Sequence, residues 1–160
     1  NWGQFPLVYF IILMFIGGCA GSTTCGIKIF RVQILYQFIS NQLKKIIYPR
    51  GIFKIKYQNN NVDEKFMDSI ISFIFLYILI FFVVTALLSL DGLNFITAIS
   101  AAATSISNVG PGLGDIIGPN GSFSSLSDFS KWVLSAAMIL GRLELFAILV
   151  LFIPSFWRKY

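Results

Sequence analysis

The chain contains 160 residues, of which 56% are hydrophobic and 12% are charged, and its formal net charge is +5. An average soluble domain carries about 25% charged residues, so this composition excludes an ordinary water-soluble globule and predicts a membrane protein in contact with lipid. Most of the basic residues lie beside apolar stretches, which is typical of the cytoplasmic segments of membrane proteins rather than of a surface that binds nucleic acid. We therefore expect no nucleic-acid partner.

The side chains needed for common metal and enzyme sites are absent from the sequence or badly spaced. It has no histidine, and its two cysteines, Cys19 and Cys25, are six positions apart in an apolar segment. This spacing fits no usual metal-ligand pattern, and no nucleophile, base and orienting group come together in the sequence. We interpret the cysteines as small packed side chains, and we expect neither enzymatic activity nor a cofactor.

The N-terminal segment is apolar but interrupted. Residues 5–16 are apolar, residues 17–26 read GGCAGSTTCG, and an amphipathic stretch follows over 27–39. The first stretch alone, at about 1.5 Å per residue, cannot cross a hydrocarbon core of about 30 Å. Together the segments form one long membrane element with a glycine-rich break at 17–26. Because non-helical backbone at that depth is tolerated only inside protein or beside a water-filled cavity, the glycine-rich break predicts a pathway through the membrane.

A basic loop and a complete membrane span come next. Residues 41–65 contain a predicted turn at 49–51, a short hairpin at 52–57 and a second turn at 59–61. Five basic residues lie in this loop: Lys44, Lys45, Arg50, Lys54 and Lys56. Because basic loops remain in the cytoplasm under the positive-inside rule, we place the loop inside the cell. Residues 69–90 are uncharged and predict a transmembrane helix that ends on the outer side.

A short helix followed by a glycine-rich loop predicts a re-entrant hairpin. Residues 93–107 favour a helix too short to cross, and residues 108–114, which we name the filter loop, read NVGPGLG. Backbone carbonyls of such a loop can replace the hydration shell of a potassium ion, and the partly negative C-terminal end of the preceding helix favours a cation. From spacing alone, the filter loop is either the filter of an ion pore or an ordinary extracellular turn.

The last predicted helix, 129–157, carries an arginine in its middle. Arg142 lies about ten residues from the nearer membrane interface, where an unpaired charge costs at least about 3 kcal/mol, so it should face protein or an aqueous cavity. Glu144 offers a pair within the same helix, but residues i and i+2 do not face each other. We therefore expect Arg142 to lie near the glycine-rich break and Lys28.

Three motifs carry a resemblance to a known family. They are IGGCAGSTTCGIKIFR at 16–31, ISNVGPGLG at 106–114 and LGRLELFAILVLFIPSFWR at 140–158. In this order they resemble the Trk-type bacterial potassium uptake proteins, the TrkH/TrkG family of the Trk/Ktr/HKT superfamily. The resemblance implies an all-α membrane protein in which four repeats of membrane helix, re-entrant pore loop and membrane helix surround a pore. Residues 1–40 would then be the second helix of the third repeat, and residues 66–160 the complete fourth repeat.

The resemblance also implies roles for individual residues. It assigns potassium coordination, mainly through main-chain carbonyls, to Asn108, Val109 and Gly110. It makes the glycine-rich break an intramembrane gate, with these gating residues: Gly17, Gly18, Gly21, Gly26, Lys28 and Arg142. The break departs from the family pattern at Thr24 and Cys25, where glycine is more usual.

The partners are implied in the same way. The resemblance implies a homodimer that spans the bacterial inner membrane several times, has a cytoplasmic C-terminus, transports potassium ions and binds a cytosolic nucleotide-binding regulatory subunit. Because a filter needs carbonyls from about four repeats, we expect the chain to act with the remaining repeats as the C-terminal part of a potassium transporter. The alternative is a non-conducting membrane fragment, a decayed remnant or an interaction piece that assembles with other chains.

Overall fold

The computed structural model describes residues 4–19, 25–51, 53, 55–57, 60–114 and 116–143. The described chain contains the helices α1 (Gln4–Phe15), α2 (Ile29–Ile47), α3 (Glu64–Leu90), α4 (Phe95–Ser107) and α5 (Asp128–Arg142), the short strands β1 (Lys56–Tyr57) and β2 (Asn60–Asn61), and a 3-10 helix at Phe123–Ser125. The strands pair antiparallel. The described chain is therefore mostly helical, and the predicted all-α class needs one correction, the small hairpin between α2 and α3.

Helix α4 lies at the centre of the described fold. It packs against α3, α5 and α1, and its residues Ala98, Ala101 and Ala102 are fully buried. Such small side chains let neighbouring helices approach closely. Leu88 of α3 and Leu134 of α5 complete this core. Because α4 has 13 residues, it is about 20 Å long, too short to cross a hydrocarbon core of about 30 Å.

Helix α3 is the long apolar element. Within the described residues it is the one helix long and apolar enough to cross a membrane, over Lys65–Leu90. One face packs on the core through Tyr77, whereas Phe75 and Phe82 on other faces are exposed. The helix begins at Glu64 rather than at residue 69, because its polar first turn also adopts the helical conformation. A helix with apolar side chains exposed in this way is suited to contact lipid.

The predicted loop 41–65 is too long at its start. Helix α2 continues to Ile47, and Lys44 and Lys45 lie in its last turn. The stretch after residue 41 consists largely of good helix formers, and positive charge near a helix C-terminus is favourable. Pro49 follows and cannot continue a helix. The amphipathic pattern of the sequence therefore did not predict where this helix ends.

The hairpin in this loop lies further along the chain than predicted. Lys56–Tyr57 pairs with Asn60–Asn61, so the two asparagines belong to a strand and not to a turn at 59–61, and residues 52–57 supply only one side of the hairpin. Apolar side chains at the ends of the hairpin pack on the cluster around Ile34 of α2. This packing favours the observed position of the hairpin over the predicted one.

Helix α5 covers the first part of the predicted helix 129–157. It contains 15 described residues, Asp128–Arg142, with Leu143 as its C-cap, and the rest of the predicted helix lies outside the described residues. At the other end, Ser127 caps the helix because its Oγ accepts a hydrogen bond from the backbone N–H of Ser130 (3.1 Å).

Candidate functional site

The glycine-rich break joins α1 to α2 through paired backbone segments. The N–H of Gly17 donates to the carbonyl of Ile27 (3.0 Å), and the N–H of Ile27 donates to the carbonyl of Phe15 (3.0 Å). The N–H of Ile29 donates to the carbonyl of Gly18 (3.2 Å). These three hydrogen bonds hold the end of α1 against the start of α2, so both sides of the break lie together.

Glycine is required on both sides of this pairing. A side chain at Gly17 would overlap the carbonyl oxygen of Cys25. Gly26 has a φ of 86°, a left-handed conformation that glycine adopts at little cost. Lys28 follows as the half-buried N-cap of α2. The break therefore depends on glycine for close backbone approach on one side and for an unusual turn on the other.

Helix α4 binds the N–H groups of the filter loop. The N–H of Val109 donates to the carbonyl of Thr104 (3.0 Å), and the N–H of Gly110 donates to Thr104 Oγ1 (3.0 Å). The N–H of Leu113 donates to Ser100 Oγ (3.1 Å). Within the described residues, the first three carbonyl oxygens of the loop accept no hydrogen bond. The loop is thus held through its N–H groups, and its first three carbonyl oxygens are available to bind another group.

Left-handed backbone turns the chain sharply at the start of the filter loop. Asn108 is the C-cap of α4 with φ 51° and ψ 43°, and asparagine is one of the few non-glycine residues that tolerate this region. Gly110 has a φ of 117°, which disfavours any side chain there. Val109 lies between them and is 48% exposed. The turn therefore brings polar backbone to an accessible surface.

The glycine-rich break and the filter loop line the same cavity. Its volume is about 590 Å³, and its lining includes Gly17, Gly18 and Cys25 from the break together with Asn108 and Val109 from the filter loop. Apolar side chains of α1 form another part of the wall. Two segments that are far apart in the sequence therefore face one space.

Two side-chain hydrogen bonds anchor the end of α4 to its neighbours. Tyr77 Oη of α3 lies 2.7 Å from Ser107 Oγ, and both residues are buried. On the other side, Asn108 Nδ2 donates to the carbonyl of Met138 in α5 (3.1 Å). The start of the filter loop is therefore fixed between the long apolar helix and the last helix.

Helix α5 contacts both α4 and the glycine-rich break. A side chain at Gly141 would overlap the carbonyl oxygen of Ile106, so α5 crosses α4 at backbone contact. The next residue, Arg142, donates from Nη1 to Cys25 Sγ of the break (3.8 Å). Because a guanidinium stays protonated in proteins, Arg142 places a positive charge beside the break.

Comparison with known proteins identifies the family. The sequence pattern of TrkH, described as a cation transport protein, matches residues 1–159. The chain belongs to the TrkH family. The match includes the five helices that the structure describes, the break and the filter loop.

Relatives and a solved structure agree with membership of the TrkH family. The chain is 44% identical to the Trk system potassium uptake protein TrkI of Halomonas elongata and 36% identical to TrkH of Escherichia coli strain K12, over 99% of this chain in each case. The crystal structure of the potassium transporter TrkH from Vibrio parahaemolyticus matches 98% of the chain with a TM-score of 0.86 and 36% identity. The chain spans about a third of these proteins, 32% of each relative and 33% of the crystallised chain.

In this TrkH-family chain, the predicted site residues fall into two groups. The start of the filter loop contains Asn108, Val109 and Gly110. The glycine-rich break and its immediate surroundings contain Gly17, Gly18, Gly26, Lys28 and Arg142. Gly21 and Glu144 lie outside the described residues. Arg142 contacts the thiol of Cys25 in the break, the segment near which the sequence analysis expects it.

The sequence analysis missed a polar contact between the end of α3 and the start of α5. Asp91 accepts hydrogen bonds from the hydroxyls of Ser127 and Ser130, the latter at 2.6 Å. These bonds, first that from Ser127 and then that from Ser130, hold the pKa of the Asp91 carboxyl below its usual value. A serine before an acidic residue at a helix start does signal a cap, but nothing local points to a partner 36 positions away.

Proposed function

We propose that this chain forms one quarter of the ion filter and half of the gate of a Trk-type potassium transporter in the bacterial inner membrane. The observation that carries the proposal is the cavity shared by the filter loop and the glycine-rich break. A segment that binds ions and a segment that opens can control one pathway only if both face it. The potassium uptake named for the relatives supports potassium as the transported ion.

The filter chemistry follows from the hydrogen bonding of the loop. Potassium enters a narrow pore only when oxygens replace its hydration shell, and we assign this role to the carbonyls of Asn108, Val109 and Gly110. Thr104 and Ser100 bind the N–H groups of the loop, which leaves the carbonyls for the ion. The partly negative C-terminal end of α4 adjoins the loop, and this polarity favours a cation.

Gating is assigned to the glycine-rich break together with Arg142. The proposed gating residues are Gly17, Gly18, Gly21, Gly26, Lys28 and Arg142. The guanidinium of Arg142 lies beside Cys25, which borders the cavity, so its positive charge opposes the passage of a cation. Movement of the break or of α5 would change this distance and therefore the barrier.

The remaining repeats of the transporter must complete the pore, because one loop cannot surround an ion. Helix α1 has apolar side chains that the described chain leaves exposed: Phe5, Val8 and Ile12. They are suited to contact the other repeats or lipid. We further propose a homodimeric, multi-pass protein without enzymatic activity. The basic loop after α2 and the C-terminus face the cytoplasm, where a nucleotide-binding regulatory subunit binds.

Rubidium uptake into lipid vesicles tests the proposed function. The protein that carries this chain together with the remaining repeats is compared with the 160-residue chain alone. We expect uptake only for the protein with all repeats. Uptake in neither sample would favour a non-conducting membrane fragment. Uptake by the 160-residue chain alone would mean that it assembles a pore by itself, and the assignment of one quarter would be wrong.

A matched pair of glycines tests the filter assignment. Gly110 and Gly92 both have a positive φ, 117° and 87°, and a side chain at either would meet no atom within 4 Å. An alanine at either site would adopt a strained positive φ, at a cost of order 1–2 kcal/mol. In the protein with all repeats, we expect Gly110→Ala to lower rubidium uptake by about tenfold and Gly92→Ala to leave it unchanged. Equal losses would contradict the filter assignment.

A further inference from the structure

We propose that the side chain of Asn108 is a positioning group for ion selectivity, which fixes the first carbonyl of the filter loop relative to α5. The proposal rests on the proposed function, because selectivity has meaning only if the loop is an ion filter. Its basis is one juxtaposition: the side-chain amide of Asn108 donates to the carbonyl of Met138 (3.1 Å). The side chain is thereby committed to α5, and the ion is left to the main chain.

The backbone of Asn108 is committed as well. Its N–H donates to the carbonyl of Ser105 (3.2 Å), and its φ of 51° turns the chain out of α4. An asparagine amide supplies N–H donors that neither glycine nor aspartate has, while all three residues tolerate this left-handed backbone. Asparagine therefore performs two separable tasks here. It allows the turn, and it binds the turn to the neighbouring helix.

The acceptor lies where α5 is already held against α4. Met138 is three residues before Gly141, whose side-chain position is occupied by the carbonyl oxygen of Ile106. The two contacts pair Ile106 with Gly141 and Asn108 with Met138, so the end of α4 and the end of α5 run antiparallel at this point. A rotation or shift of α5 would consequently move the first carbonyl of the filter loop.

The same end of α5 carries the contact with the gate. Arg142 follows Gly141 directly and donates to Cys25 of the break. Met138, which binds the amide of Asn108, and Arg142, which binds Cys25, therefore lie on the same turn of α5. Through this turn, the position of the filter carbonyl and the position of the gate are linked by two identified contacts.

The expected consequence is a change in the choice between ions rather than in folding alone. Discrimination between potassium and sodium depends on the placement and number of the coordinating carbonyls. Loss of the Asn108 amide removes the hydrogen bond that restrains the position of the first carbonyl of the filter loop. We expect the potassium-over-sodium preference to fall by about fivefold, which is the factor for about 1 kcal/mol, the net contribution of one hydrogen bond.

The test uses Asn108→Gly in the protein with all repeats. Glycine keeps the left-handed backbone and removes the amide donor. The matched control is Asn94→Gly at the other end of α4, where the asparagine is the N-cap without a side-chain cap hydrogen bond. Rubidium uptake into vesicles is measured in competition with potassium and with sodium, and the ratio of the two inhibition constants is compared with that of the unsubstituted protein.

A lower ratio for Asn108→Gly with an unchanged ratio for Asn94→Gly supports the proposal. An unchanged ratio for Asn108→Gly, or an equal fall for both variants, overturns it while leaving the proposed function in place. Absence of uptake by the unsubstituted protein overturns the proposed function, and this proposal with it. If Asn108→Gly does not accumulate in the membrane, Asn108→Asp decides the matter in the same way. Aspartate keeps the shape and the turn but faces the Met138 carbonyl with an acceptor.

Discussion

The candidate pathway has two parts that are built differently: the filter side, which is α4 with the filter loop, and the gate side, which is α1 with the glycine-rich break. Ten residues of α4 are buried, and hydroxyls of α4 bind the N–H groups of the loop that follows. By contrast, the residues of α1 that the structure describes are half-buried or exposed, and the break is held through backbone hydrogen bonds at its ends. Within the described residues, the filter loop is therefore supported by a buried helix, whereas α1 and the ends of the break are less deeply buried.

This difference matches the proposed functions of the two parts. A filter has to hold its carbonyls within a narrow tolerance, which requires packing and satisfied hydrogen bonds. A gate has to move, and mobile elements are drawn from regions with few buried contacts. Helix α5 is the element that touches both, through Met138 on the filter side and Arg142 on the gate side.

The largest effect is expected from Gly141→Ala, because the new methyl group would overlap the carbonyl oxygen of Ile106. We expect a loss of about 3 kcal/mol in the free energy of unfolding and loss of uptake, since α5 must move away from the filter side. Unfolding of the protein with all repeats in detergent measures the first effect. The control Ser135→Ala, exposed on the same helix, should change stability by less than about 0.5 kcal/mol. Normal stability of Gly141→Ala would contradict the close contact of α4 and α5.

Arg142→Ala is expected to raise rubidium flux by about fivefold. Arg142 lies beside Cys25, which borders the cavity, and removing a unit charge from this position should lower the barrier to a cation by about 1 kcal/mol. Arg142→Lys keeps the charge and serves as the control, with flux close to that of the unsubstituted protein. Flux measured in vesicles that stays unchanged in Arg142→Ala would remove the gating role of this residue.

Tyr77→Phe tests how firmly the filter side is anchored to α3. The substitution removes the hydroxyl that contacts Ser107 Oγ (2.7 Å) and leaves a buried polar group unpaired, which costs about 1–2 kcal/mol. The control is Tyr36→Phe, because Tyr36 is 72% exposed and should tolerate the change. Denaturant unfolding compares the two variants. Equal stability of both would mean that the hydroxyl contact contributes nothing.

The smallest effect is expected from Asp91→Asn and is a change in how stability depends on pH in the acid range. Hydrogen bonds from Ser127 and then Ser130 lower the pKa of Asp91 in the folded protein. This carboxylate therefore contributes stability above its unfolded pKa of about 3.9, and the contribution is lost as the pH falls through the lower folded value. Asp91→Asn should flatten this part of the profile of melting temperature against pH.

Asp128→Asn provides the matched control for the acid profile, because the Asp128 carboxylate is 93% exposed at the start of the same helix. Its melting temperature should keep the acid dependence of the unsubstituted protein. If Asp91→Asn shows that same dependence, the hydrogen bonds to the two serines do not stabilise the fold.

Local features of the filter side could be predicted from the sequence. The glycines and Pro111 end a helical pattern that is too short to cross a membrane, and α4 does end at Ser107. The end of α2 could not be predicted from the amphipathic pattern, because helix-forming residues continue after that pattern stops. The hairpin was misplaced for a similar reason, since packing on Ile34 decides its position.

The contacts that position the filter loop could not be predicted from any local pattern. Tyr77 and Ser107, like Asn108 and Met138, are 30 positions apart in the sequence. Neither separation in the sequence indicates a contact, because the contacts form only when three helices pack together. The family resemblance implies a role for the backbone of Asn108, whereas the contact of its side chain with Met138 depends on how the helices pack.

Cys25 offers the most direct test of the central claim, that the filter loop and the glycine-rich break face one conducting cavity. It is half-buried and borders that cavity. The protein with all repeats, with its other cysteines, including Cys19, replaced by alanine, is treated with a positively charged thiol reagent, and labelling and rubidium uptake are measured in the same vesicles. We predict that labelling of Cys25 blocks uptake and that Cys25→Ser abolishes the block. Complete labelling of Cys25 with unchanged uptake would contradict the account.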